Sequence, residues 1–172
     1  MKTLSDMVLL GAPRLYEQCA SVLESELPLV AGWVADLNNV MQEIRATYHF
    51  GHGIAAPQIG VMKRLVYLNI DRPLVLINPE IIQPSAATFE LWDDCMSFPN
   101  LLVRVRRHRS VTVSYTDEQW QPQTWTVHDD RFLRAVTATE RVFFRPPSGT
   151  VKVSCADDHG RNVDIQLQVE EL

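Results

Sequence analysis

A carboxamide set among glycines and alanines is suited to holding an oxygen, and the stretch GHGIAAPQIG at residues 51–60 provides one. Gly51 and Gly53 can take backbone angles closed to other residues, and Ala55 and Ala56 are too small to block a close approach. Gln58 can donate hydrogen bonds to an oxygen placed beside that backbone while its own carbonyl accepts one in return. Read alone, the segment describes an alanine-packed turn after a helix equally well. A second stretch, WDDCMSFP at residues 92–99, sets one thiol, Cys95, beside two carboxylates, Asp93 and Asp94. The two stretches together favour a site wall over a turn.

The elements that must carry these residues follow from periodicity. Between residues 29 and 48, Trp33, Val34, Leu37, Met41, Ile44 and Tyr48 recur at helical spacing, with Glu24, Glu26 and Pro28 just ahead. This predicts a long helix that delivers the chain into the glycine stretch. Upstream, residues 7–15 read as an extended arm ending in the turn Gly11-Ala12-Pro13. Downstream, runs rich in Val, Ile, Leu and Tyr at 64–70, 74–78, 80–83, 88–92, 101–106, 110–115 and 123–127 are separated by Pro73, Pro79, Pro84, Asp117 and Pro122. They predict antiparallel sheet. Residues 128–144 fit a second helix, with Asp129 or Asp130 as its cap and Phe132, Leu133, Val136 and Phe143 on one face. Beyond the break at 145–149, Val151, Val153 and Cys155 alternate with polar residues, as do Val163, Ile165, Leu167 and Val169 across a turn at 157–160. That pattern predicts a closing hairpin. The fold class expected is α+β: a long helix against antiparallel sheets, in a single domain over residues 1–172.

Composition narrows the function. A net charge of −5 does not suit a protein that holds nucleic acid on a broad basic surface. The one basic cluster, Arg104 to Arg109, reads as the solvent face of an edge strand. Cys19, Cys95 and Cys155 are widely spaced and form neither a disulfide framework nor a zinc knuckle, which fits a reducing, cytoplasmic setting. No apolar run is long enough to span a membrane.

The glycine stretch resembles the first motif of the peptide deformylases, glycine-x-glycine-apolar-Ala-Ala-x-Gln, at every specified position. DDCMS resembles a variant of their second motif, Glu-Gly-Cys-apolar-Ser, with Asp93 and Asp94 replacing Glu and Gly. Ile77-Asn78-Pro79-Glu80 between the motifs and Phe98-Pro99 after them agree, so the likeness runs over about residues 7–127. It implies removal of the N-formyl group from nascent polypeptides. It also implies that the Gln58 side chain and the Met96 backbone N–H donate to the formyl oxygen, that Gly51, Gly53, Ile54 and Met96 line the substrate, and that Cys95 is a ligand of an iron, nickel or zinc ion.

The third family motif, a helical His-Glu-x-x-His that completes the metal site and supplies the general acid and base, is absent. Arg134, Ala135 and Ala138 stand where the likeness would put His, Glu and His, and residues 129–158 contain no histidine. One thiolate does not hold a catalytic divalent ion against water. The expectation is therefore a non-catalytic relative without a cofactor, retaining a pocket for N-formylated termini. Its rivals are an active amide hydrolase with ligands recruited from His49, His52, His128, Asp129, Asp130, Asp93 or Asp94, and an interaction module acting through the basic strand or the final hairpin. That hairpin could also pair two copies edge to edge. Asp93 and Asp94 read more simply as a loop cap or solvated acids, His108 and His159 as surface residues, and Cys19 and Cys155 as apolar positions.

Overall fold

A computed structural model of the chain describes residues 1–98, 103–128, 149–156 and 162–169. The helix is α1, Leu27–Tyr48. Glu24–Glu26 forms a 3₁₀ turn that feeds it, and Pro28 lies in the first helical turn, where a missing N–H leaves no hydrogen bond unmade. Val30, Leu37, Val40, Met41 and Ile44 form its buried stripe, while Trp33 and Val34 are half-buried beside it and Tyr48 is exposed. His49 closes the helix in the left-handed conformation (φ 62°).

The strands are β1 (Gly53–Ala55), β2 (Leu65–Asn69), β3 (Pro73–Pro84), β4 (Thr88–Asp93), β5 (Val103–His108), β6 (Val111–Thr116), β7 (Pro122–Val127), β8 (Gly149–Ala156) and β9 (Asn162–Val169). Five of them form a sheet in the order β1-β2-β3-β6-β7 with antiparallel pairing throughout, β4 pairs with β5, and β8 pairs with β9. The period of two sorts side chains between two cores. Ile54, Leu65, Tyr67, Val75 and Ile77 join the α1 stripe, whereas Ala55, Val66, Leu68 and Leu76 pack with Val111, Val113 and Val127 on the opposite face. β1 spans those two faces in consecutive residues, which is why the glycine stretch must be extended there.

The runs 74–78 and 80–83 are one strand, not two. β3 continues through Pro79 because Asn78 takes φ 51° and the register to β6 shifts between Ile77 and Glu80, a bulge in which the missing proline N–H is harmless. The Asn78 side chain secures the bend from outside, accepting the Val22 N–H at 2.8 Å and donating to the Val22 carbonyl at 2.9 Å. The closing hairpin is present as β8 and β9, in the register Val151↔Leu167, Val153↔Ile165 and Cys155↔Val163, with β8 against β5. The expected helix at 128–144 and the turn at 157–160 lie outside the described residues, apart from His128.

Candidate functional site

Gln58 belongs to a 3₁₀ turn, Ala56–Ile59, entered directly from β1 and left through Gly60 at φ 77°. The side chain is buried and reaches back so that its Oε1 accepts the Ala55 N–H at 2.9 Å. That bond fixes which end of the carboxamide is which, because an N–H can be met only by the oxygen. The amide nitrogen is therefore turned the other way, donating to Ser97 Oγ at 3.2 Å and to Cys95 Sγ at 3.5 Å. Sulfur is a weak acceptor, so a carbonyl oxygen arriving there would take that hydrogen on better terms.

The second stretch meets the first at this point. β4 ends at Asp93, and a turn closed by the Phe98 N–H on the Cys95 carbonyl at 2.9 Å carries Asp94 to Phe98. Met96 and Ser97 are buried, Cys95 is half-buried and Asp94 is exposed. Burial pushes the Cys95 thiol above its ordinary value; the Ser97 N–H and hydroxyl, bonded to the sulfur, oppose this, and the nearby Asp93 and Asp94 add to it. The thiol is thus held as a neutral S–H. The extended arm ties the two stretches together from outside: the Val8 N–H donates to the Gln58 carbonyl at 2.8 Å and the Leu10 N–H to the Ser97 carbonyl at 2.9 Å.

Several expectations need correction. Asp93 is neither a loop cap nor a solvated acid: it is 7% exposed and its Oδ2 receives the Arg107 guanidinium at 2.8 Å. Phe89, Leu91 and Asp93 of β4 share the inward face with Val105 and Arg107 of β5, so the strand alternation that exposes Arg106 buries Arg107, and the basic cluster is not a uniform solvent face. Arg106 pairs with Glu90 in the open, and Arg109 lies over the Phe89 ring. His108 is half-buried, with Nδ1 at 2.6 Å from the Ser85 carbonyl. Of the two glycines able to take angles closed to other residues, only Gly51 uses a positive φ, at 120°. The space beside Gly51 is filled: a Cβ there would stand 2.8 Å from Met96 Cε. Ile54 sends its side chain into the α1 core, which leaves only its backbone to face a ligand. Cys19 is buried as expected. Sequence reasoning gave Ser97 no separate role and passed over Arg45, which carries no periodic or motif signal.

A divalent ion in such a site needs three or more convergent ligands. Among the described residues no group of three His, Cys, Asp or Glu side chains converges. Asp93 is committed to Arg107, while His49, His52 and His128 are exposed. The described donor set around Cys95 does not fit a catalytic metal; Asp129 and Asp130 lie outside it.

A family model described as polypeptide deformylase matches residues 4–137. The chain belongs to the polypeptide deformylase family. The peptide deformylase of Prochlorococcus marinus (strain NATL1A) is 39% identical over 79 residues, covering 42% of this chain and 39% of the relative. That of Synechococcus sp. (strain RCC307) is 31% identical over 120 residues, covering 65% of this chain and 60% of the relative. The matches thus span less than two thirds of these relatives. A crystal structure of a peptide deformylase from Synechococcus elongatus in complex with actinonin superposes with a TM-score of 0.72 at 27% identity, over 80% of this chain and 72% of that one. The fold is accordingly that of a peptide deformylase, α+β with one long helix and antiparallel sheets among the described residues. No described helix is long and apolar enough to cross a membrane.

Proposed function

We propose that this deformylase-family domain holds the carbonyl of an N-formylated peptide terminus, or of another small acylated amine, without hydrolysing it through a metal. The observation that carries the reading is the Gln58 carboxamide, locked by Ala55 with its donor end aimed at Cys95 and Ser97. The family resemblance adds the Met96 N–H as a second donor to the same oxygen, and the pair would form the preorganised electrostatic half of an acyl-transfer site. Among the described residues none is placed to perform the attacking half. The chain has no His-Glu-x-x-His, and without a placed general acid and base a factor of roughly 10²–10⁴ in rate is missing before any metal is considered. A neutral carbonyl ligand fits this site, because the uncharged thiol and the adjacent carboxylates offer nothing to an anion.

The deciding experiment is a metal analysis of purified protein beside a titration with formyl-Met-Ala-Ser. Saturable binding without stoichiometric metal or release of formate is the expected result. Stoichiometric iron, nickel or zinc together with hydrolysis would instead establish a metal-dependent hydrolase of linear amides with unconventional ligands. Absence of saturation would leave a domain that works through its surface alone. Installing Arg134→His, Ala135→Glu and Ala138→His together should create metal binding, measured by zinc or nickel retention after dialysis.

A further inference from the structure

Two donors on separate segments serve one oxygen only at a fixed spacing, and Arg45, outside both motif segments, bonds to the Gly51 crossing between them. Arg45 sits half-buried on the last turn of α1. Its carbonyl accepts the His49 N–H at 3.1 Å and so closes the helix. Its side chain turns to the chain beyond: Nε donates to the Gly51 carbonyl at 2.7 Å, and a terminal nitrogen donates to the Asn69 carbonyl. Asn69 in turn gives its N–H to the His52 carbonyl at 2.9 Å. One guanidinium thereby joins the helix end, the glycine crossing and the end of β2.

Gly51 is also the seat of Met96. The glycine is buried at φ 120°, and the position its Cβ would take is 2.8 Å from Met96 Cε and 3.7 Å from both Ile44 Cγ2 and Met41 Cγ. The Met96 methyl is therefore held between the Gly51 backbone and two α1 side chains. A shift of the Gly51 peptide changes the seat of the Met96 side chain, which stands one residue from Cys95 and Ser97, the two groups that Gln58 meets.

We infer that Arg45 is a positioning residue for the oxygen cradle: by clamping the Gly51 carbonyl against β2 it fixes the seat of the Met96 side chain and the entry of the chain into β1 and the Gln58 turn. The inference rests on the cradle reading given above. A lysine could reach one carbonyl but cannot present the fixed fork that bridges two, so Arg45→Lys should be an incomplete substitute.

The test follows the ¹⁵N–¹H signals of the Met96 amide and the Gln58 carboxamide by NMR in wild type, Arg45→Lys, Arg45→Met and the exposed control Arg106→Met, with formyl-Met-Ala-Ser titrated into each. Arg45→Met should displace both signals and weaken the peptide by about tenfold or more, the scale expected when a supporting residue lets a site loosen. Arg45→Lys should fall between it and wild type, and Arg106→Met should change neither. Met96 and Gln58 signals at wild-type positions in folded Arg45→Met would overturn the inference. If that variant does not fold, the same signals in Arg45→Lys decide. A wild-type protein that ignores the peptide would defeat the functional reading, while the NMR signals would still judge Arg45.

Discussion

The two walls of the candidate site are built on opposite terms. On the Gln58 wall, each polar atom of the carboxamide is met within a few ångströms by local backbone or by Ser97, and the surrounding Ile54, Ala55, Ala56 and Ile59 are fully buried. On the Cys95 wall, the thiol stands between one carboxylate neutralised from the paired strand β5 and another exposed to solvent, with no convergent set of metal ligands among the described residues. The first wall is a finished hydrogen-bonding device. The second is held in shape by a buried ion pair whose partner arrives from β5. The contrast teaches that recognition of a carbonyl and attack on it are physically separable: one needs two well-aimed donors, the other needs charge and proton traffic.

The largest effect should come from dismantling the second wall. Asp93→Ala leaves Arg107 buried without its carboxylate and should destabilise by about 3–5 kcal/mol, as removal of one partner from a buried pair does; urea unfolding measures it. A loss below 1 kcal/mol would mean that the pair does not support this wall. On the first wall, Gln58→Leu strands the Ala55 N–H and should cost about 1–3 kcal/mol. Gln58→Glu keeps an acceptor for that N–H but removes the donors, so calorimetry should show peptide binding lost with the fold retained. Equal binding by Gln58→Glu and wild type would show that the carboxamide is not the oxygen's partner.

Gly51→Ala tests the seam between the walls. A side chain at φ 120° meeting Met96 should cost on the order of 1–3 kcal/mol by thermal unfolding, a penalty for a strained backbone that Met96→Ala relieves only in its steric part. A smaller effect distinguishes the thiol. Since burial raises the Cys95 pKa above its ordinary 9.0, the folded state binds the proton more tightly than the unfolded one. The stability it contributes is present below about pH 9 and is lost as the pH rises through the folded value. Cys95→Ser should flatten that alkaline decline, and iodoacetamide should modify native Cys95 at pH 8 more slowly than the unfolded chain. The least effect belongs to Arg106→Ala, whose partner Glu90 is also solvent-exposed: at most about 1 kcal/mol.

Much of this was legible in the residues. The helical recurrence of Leu37, Met41 and Ile44, the alternating strands, the closing hairpin and the two motifs are patterns of period 3.6 or 2, or contiguous strings, and local sterics write such patterns directly into sequence. The orientation of Gln58 was also readable in part, since a carboxamide two residues after the alanines can cap only what lies next to it. Tertiary structure alone decided the Asp93–Arg107 pair, the seating of Met96 on Gly51, the strap from Val8 and Leu10, and the reach of Arg45 to Asn69. Each joins residues that are remote in sequence or that share no repeat. Their meeting depends on how strands stack and where a helix ends, and a charge or a glycine carries no record of which distant neighbour will fill the space beside it.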